Sequence, residues 1–108
     1  MWTVVYLPEA EQELGKLPDG EQAALRNAER KLEAIGPALP FPHSSAVRTA
    51  PGLRELRPRA GRSPWRAFYG QVGETFVIAA VGPEAQNDRQ GFVRACEAAL
   101  ARLAEVEG

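Results

Sequence analysis

The stretch TFVIAAV, residues 75–81, is the feature that most constrains the fold. Its apolar side chains alternate to both sides of an extended chain, so it reads as a central strand, and Gly82-Pro83 after it reads as a break. Phe76 to Val81 is also the longest apolar run in the 108 residues. It falls far below the roughly 20 residues that a membrane helix needs. The N-terminus has no basic region leading into an apolar stretch, which points to a soluble, cytoplasmic chain.

The other elements arrange themselves around that strand. Trp2 to Leu7 is rich in aromatic and β-branched residues and reads as a first strand. Pro8, with Glu9, Glu11 and Glu13 facing the positive end of a helix dipole, opens a short helix to about Leu17. Asp19 and Gln22 have the spacing of a capping box, and Leu25, Ala28, Leu32 and Ile35 then recur at helical spacing up to Gly36-Pro37. The prolines between Gly36 and Gly52 predict an irregular connector. Strands over residues 53–58, 64–72 and 74–81 follow as an antiparallel meander. A closing helix carries Phe92, Val93, Cys96, Ala99, Leu100, Leu103 and Val106 on its inner stripe, with Asn87 or Asp88 as N-cap. The expected class is α+β: an N-terminal strand and helical hairpin packed on a small antiparallel sheet, with helices on one face and one domain over residues 1–108.

Charge is unevenly distributed along this nearly neutral chain. Residues 48–66 hold six bases (Arg48, Arg54, Arg57, Arg59, Arg62 and Arg66) against one acid, Glu55, while acids outnumber bases on either side. Alternation along a strand would turn Leu56 inward and send Glu55, Arg57 and Arg59 to an exposed, charged face. Arg62 from the next loop and Arg66 from the neighbouring strand would join them. Guanidinium groups pair planar donors with phosphate oxygens and keep their charge at neutral pH. Trp65 and Tyr69, on one side of their strand, offer stacking surfaces for bases. A charged sheet face that deters edge pairing is the plainer alternative, but it does not need charges of a single sign. Cys96 is the single cysteine, which excludes an internal disulfide, and its place on an apolar stripe makes it a core residue. With His43 the single histidine, no structural zinc site is expected.

The segment GLRELRPRAGRSPWRAFYG, residues 52–70, followed by a glycine turn and TFVIAAVG, resembles the RelE/ParE toxin superfamily, most closely its phage-derived HigB-like branch. Leu53, Glu55-Leu56-Arg57, Arg66, Phe68 and Tyr69 stand where that family's GLyELR and yRvfY patterns expect them. The resemblance implies a RelE-like domain acting as a toxin that cleaves messenger RNA on the ribosome. It would use attack of a ribose 2′-OH on the adjacent phosphate, need no metal or cofactor, and be neutralised by a cognate antitoxin, often of helix-turn-helix type.

By matched position, Arg57 and Arg66 are the candidates for phosphate contact and transition-state stabilisation, helped by Arg54, Arg59, Arg62, Arg89 and Trp65. Arginine stays protonated and is a poor general base, so the proton-transfer role is open. Tyr69, Asp88 and Glu84 are candidates for it; His43 lies in the connector with nothing in the sequence to fix it near the arginines. Where the family commonly carries a phenylalanine and a lysine pair after the last strand, this chain has Val81 and Pro83-Glu84. That loss of basic charge favours two alternatives: a non-catalytic ParE-like inhibitor of DNA gyrase, or an inactive toxin-derived binding module.

Overall fold

The computed structural model describes residues 1–107. In chain order the elements are β1 (Thr3–Tyr6), α1 (Pro8–Gly15), α2 (Asp19–Ile35), β2 (Ser44–Ala46), β3 (Arg54–Leu56), β4 (Trp65–Val72), β5 (Thr75–Pro83) and α3 (Arg89–Glu107). Short 3-10 turns occupy Gly36–Ala38 and Pro58–Gly61. The strands make one sheet in the order β1-β5-β4-β3-β2. β1 runs parallel to β5, with Thr3 opposite Thr75 and Tyr6 opposite Ile78, and the remaining pairs are antiparallel. The sheet is therefore mixed, where an antiparallel one was expected.

The apolar β5 explains the layering. Phe76, Ile78 and Val81 pack against Leu14, Leu25 and Leu32 of α1 and α2. Val77, Ala79 and Ala80 pack on the opposite face against Cys96, Ala99 and Leu103 of α3. The sheet is thus sandwiched between two helical layers, which corrects the expectation of helices on one face and an open, charged second face. A strand apolar on both sides needs cover on both sides, because each buried apolar side chain contributes about 1.5–3 kcal/mol. Between Phe68 and Tyr69 the register with β5 shifts, leaving Ala79 as the extra residue of a bulge.

Three local expectations also change. Asp19 and Gln22 form no capping box: Pro18 occupies the N-cap without a side-chain bond, and Gln22 Nε2 instead donates to the carbonyl of Leu17 at 2.8 Å, tying the two helices together. The connector contains β2, a three-residue strand paired to β3. It begins after the last of the connector's first prolines and lies at the sheet edge, where one bonded side suffices. β5 runs through Gly82 to Pro83 instead of breaking there, with Pro83 at the strand terminus where a missing donor is tolerated.

β1 is too short to cover the far half of β5. That exposed edge is closed by side chains: the Val81 amide donates to Glu13 Oε1 at 3.0 Å, and Arg102 Nη1 donates to the Ala79 carbonyl at 2.8 Å. Arg102 and Glu13 also pair with each other, at 3.0 and 3.1 Å. One ion pair therefore joins α1 to α3 around the sheet and satisfies edge groups that would otherwise invite another strand.

Candidate functional site

The arginine-rich segment is shaped by the shortness of β3. After Leu56 the chain leaves the sheet at Arg57 and turns sharply through Pro58–Gly61, with Arg59 (φ 54), Ala60 (φ 56) and Gly61 (φ 92) all left-handed. Left-handed conformation costs a non-glycine residue roughly 1–2 kcal/mol, so other contacts must hold the turn. Glu21 of α2 supplies them: it pairs with Arg59 Nη1 at 2.6 Å and accepts from Ser63 Oγ at 2.7 Å. The hydrogen bond from Ser63, followed by that from Arg59, holds the Glu21 carboxyl below its ordinary range.

The turn wraps around Arg66. Its guanidinium donates to the carbonyls of Ser63 (2.7 Å), Trp65 (3.0 Å) and Gly61 (3.2 Å), and its Nε to Glu55 Oε1 (3.2 Å). Glu84 lies 3.8 Å away, and the residue is 2% exposed. Burial, with Arg57 next, lowers its pKa against the pull of Glu55. The same Glu55 Oε1 accepts from Arg57 Nη1 at 2.9 Å. The two arginines matched to the family pattern are thus brought together, from adjacent segments, on one carboxylate. Their roles differ, however: the donors of Arg66 point inward, whereas Arg57 reaches solvent.

Arg57 is held on three sides. Its Nε donates to the Pro42 carbonyl at 2.9 Å, its amide donates to the His43 carbonyl at 2.9 Å, and its guanidinium lies over the Phe41 ring at 4.9 Å. A Cβ on Gly61 would come within 2.5 Å of Arg57 Nη2, so only glycine leaves room for this guanidinium while also taking the positive φ. Arg57 Nη2 has no acceptor among the described residues.

Other candidates are dispersed. Tyr69 lies on the α1/α2 face, buried among Leu56 and Phe76, and its hydroxyl bonds Ser44 Oγ at 2.6 Å. Arg54 donates to the same Ser44 Oγ at 3.0 Å. Tyr69 and Arg66 sit on opposite faces of the sheet, so Tyr69 is a packing residue here and not a proton donor beside Arg66. Trp65 is half-buried against that core, on the sheet face opposite Arg66, and lines a separate hollow with Val81, Pro83 and Asp88. Asp88 caps α3: its Oδ1 accepts from the Gly91 amide at 2.9 Å, and its carbonyl from that of Phe92. It is one of the two N-caps the sequence offers, Asn87 and Asp88, and this bond takes the carboxylate out of the arginine cluster. Arg59 is drawn to α2 by Glu21, away from the face that alternation assigned it, because β3 ends before it. Arg62 is exposed and donates its Nε to the Arg59 carbonyl at 3.1 Å. Cys96 is buried as expected, its thiol pushed up to about 11 by burial.

Two hollows flank this cluster. The first, of about 290 Å³, lies between α2 and the end of β3 and is lined by Lys31, His43, Arg57, Arg59, Asn27 and Gly20 with small alanines. No carboxylate among the described residues lines it. The second is a groove of about 650 Å³ on the α3 face, with Arg48 and Arg89 on its rim and Glu55 among its lining residues. Arg48 and Arg89 are exposed and make no ion pair among the described residues. Lys31 and the connection of His43 to Arg57 escape sequence reasoning, since the residues lie 12 and 14 positions apart or more on different elements. The alternation of α2 could have found half of it, because Lys31 faces away from the Leu25–Leu32 stripe.

No curated protein is significantly similar to the chain in sequence. Among solved structures, the chain is similar to one from the toxin–antitoxin complex RelBE2 of Mycobacterium tuberculosis, with 24% identity and a TM-score of 0.58, covering 77% of this chain and 98% of that one. A substituted Escherichia coli toxin RelE in the free state gives 15% identity and a TM-score of 0.62, covering 89% and 95%. The archaeal RelE–RelB complex from Pyrococcus horikoshii gives 18% and 0.56, covering 76% and 93%. At these identities the likeness establishes a shared fold, and the α+β arrangement described above is the RelE-like one. The sequence itself is more specific: residues 12–82, which span the end of α1, all of α2 and most of the sheet, match the family described as Phage derived protein Gp49-like (DUF891). By that match the chain belongs to the phage-derived Gp49-like family.

Proposed function

We propose that this protein is the toxin of a toxin–antitoxin pair, of the HigB-like branch, and that it inhibits translation as a cytoplasmic, ribosome-dependent endoribonuclease cutting mRNA. The observation that carries this reading is the placement of Arg57. It is fixed by Glu55, Pro42 and Phe41, opens onto a basic hollow, and keeps an unengaged Nη2. A preorganised guanidinium of this kind stabilises a phosphorane without reorganising at the moment of reaction. Arg66 acts through Arg57 by sharing Glu55, and the phosphate-contacting helpers are Arg59 and Arg62. Scaffolds of this fold occur in toxin–antitoxin complexes, which supports a cognate antitoxin as the partner of this chain; its helix-turn-helix type rests on the family resemblance alone.

A second reading, a ParE-like gyrase inhibitor or a non-cleaving binding module, draws on one observation. The carboxylates Glu55 and Glu84 sit beside Arg66 and consume much of the positive charge there. Induced expression of the wild-type chain and of Arg57→Gln separates the two. Growth arrest with transcripts cut within codons, lost in Arg57→Gln and relieved by the product of the neighbouring reading frame, is the expected result. Arrest with intact transcripts and a DNA-damage response would refute the nuclease reading.

A further inference from the structure

The proton-transfer role is the gap in the proposed chemistry, and the inference here rests on that reading. Tyr69 is buried on the other face, Asp88 caps α3, and Glu55 is occupied by two arginines. His43 is differently placed. Its carbonyl accepts the Arg57 amide, its neighbour Pro42 accepts Arg57 Nε, and Phe41 stacks on the same guanidinium. The segment 41–43 is therefore stapled to Arg57, and His43 lines the same hollow as Arg57, Arg59 and Lys31.

We propose that the hollow between α2 and the end of β3 holds the scissile phosphodiester, and that His43 moves the proton of the attacking ribose 2′-hydroxyl. Charge favours this side over the α3 groove. Every ionisable residue lining the hollow is basic: Lys31 from α2, His43 before β2, Arg57 after β3 and Arg59 of the turn. On the α3 side, Glu55 lines the groove and would repel a phosphate. Lysine and arginine hold their protons at neutral pH, so the imidazole is the one group in the hollow suited to both accept and release one.

Neutral His43 takes the 2′-hydroxyl proton as the 2′-oxygen bonds to phosphorus; the bond from phosphorus to the 5′-oxygen breaks; that oxygen takes a proton from water, to which the hollow is open. The products are a 2′,3′-cyclic phosphate and a 5′-hydroxyl, and the imidazolium returns its proton to solvent. Arg57 and Lys31 offset the growing charge on the phosphorane, while Glu21 keeps Arg59 in place.

The test uses the full chain, with single-turnover cleavage of mRNA on programmed ribosomes across a pH range. His43→Gln keeps the backbone bond to Arg57 and is expected to cut about 100-fold or more slowly, with a pH dependence of the rate that differs from the wild type's. Lys31→Ala, on an exposed helix position, is expected to weaken cleavage about tenfold with the pH profile retained. A parallel titration with adenosine 3′-monophosphate, read by amide chemical shifts, is expected to move Lys31, His43, Arg57 and Arg59. A wild type that cuts, with His43→Gln within threefold of it, would overturn the inference and leave the nuclease reading standing. Shifts confined to Arg48 and Arg89 would place the phosphate in the other groove and overturn it too. A wild type that cuts nothing refutes the nuclease reading itself, and the proton role with it.

Discussion

Arg66→Ala separates a structural role for the best-matched arginine from a chemical one. In the native chain its guanidinium satisfies three backbone carbonyls and one carboxylate, and it is 2% exposed. Truncation leaves the carbonyls of Gly61, Ser63 and Trp65 turned toward an emptied space, each left without its partner at about 1–3 kcal/mol if water does not replace it. It also removes one of the two cations on Glu55. Breaking a buried ion pair from one side costs about 3–5 kcal/mol. Arg57 remains to hold Glu55, and water can enter from the turn, so we take the lower end, about 3 kcal/mol. A domain of this size is stable by about 5–15 kcal/mol, so the variant should fold, but marginally. With a urea slope of about 1.5 kcal/mol per molar, the midpoint should fall by about 2 M. Circular dichroism during urea unfolding measures this directly. Arg66→Lys keeps a charge but loses the planar fork, and should recover less than half of the loss. A midpoint shift below about 0.5 M for Arg66→Ala would refute the view that the turn is built around this residue. Loss of toxicity in Arg66→Ala would then report on chemistry and not on folding.

Other consequences follow from the same structure. Glu13 and Arg102 close the edge of β5, and a double-mutant cycle with alanine should give a coupling of about 1–2 kcal/mol, discounted for partial exposure; additivity within 0.3 kcal/mol would show the pair to be ornamental. The folded-state pKa of Glu21 is depressed by Ser63 and Arg59. Its contribution is therefore present above the unfolded carboxylate value and disappears as pH falls through the folded one. Glu21→Gln should flatten the acid side of the stability profile, measured by thermal unfolding, and an unchanged profile would contradict this. Cys96, buried with its thiol pushed up to about 11, should react with a thiol reagent at pH 8 only as fast as the chain opens. Rapid labelling of the native protein would count against the packing of α3 on β5.

Much of the fold was legible from pattern. Strand alternation, the helical stripes of α2 and α3, and the both-sided apolar β5 each carry their own local signal, and the order of elements follows from them. The side of the sheet each helix takes was not legible, because a helix stripe says that it must be covered and not by what. β2 escaped because Pro37, Pro40 and Pro42 shortly before it read as a break, and its pairing partner, β3, supplies the reason for it to be extended. Asp88 was legible in both its readings, cap and acid, and the amide of Gly91 decided between them.

The candidate site divides along the same line. From the order of residues alone come the six arginines within residues 48–66 with a single acid among them, and the strand, glycine-containing turn and second strand that carry them. Which of those charges face solvent was settled by tertiary structure alone. β3 ends at Leu56 and the chain turns left-handed, so alternation ceases to apply where the arginines are densest. Glu55 then gathers Arg57 and Arg66, Glu21 takes Arg59 from a helix 38 residues earlier, and His43 is carried to Arg57 by backbone hydrogen bonds. A charge is written in the chain, but its partner lies wherever folding brings the nearest opposite charge, and that is a property of three-dimensional proximity which one-dimensional spacing does not contain.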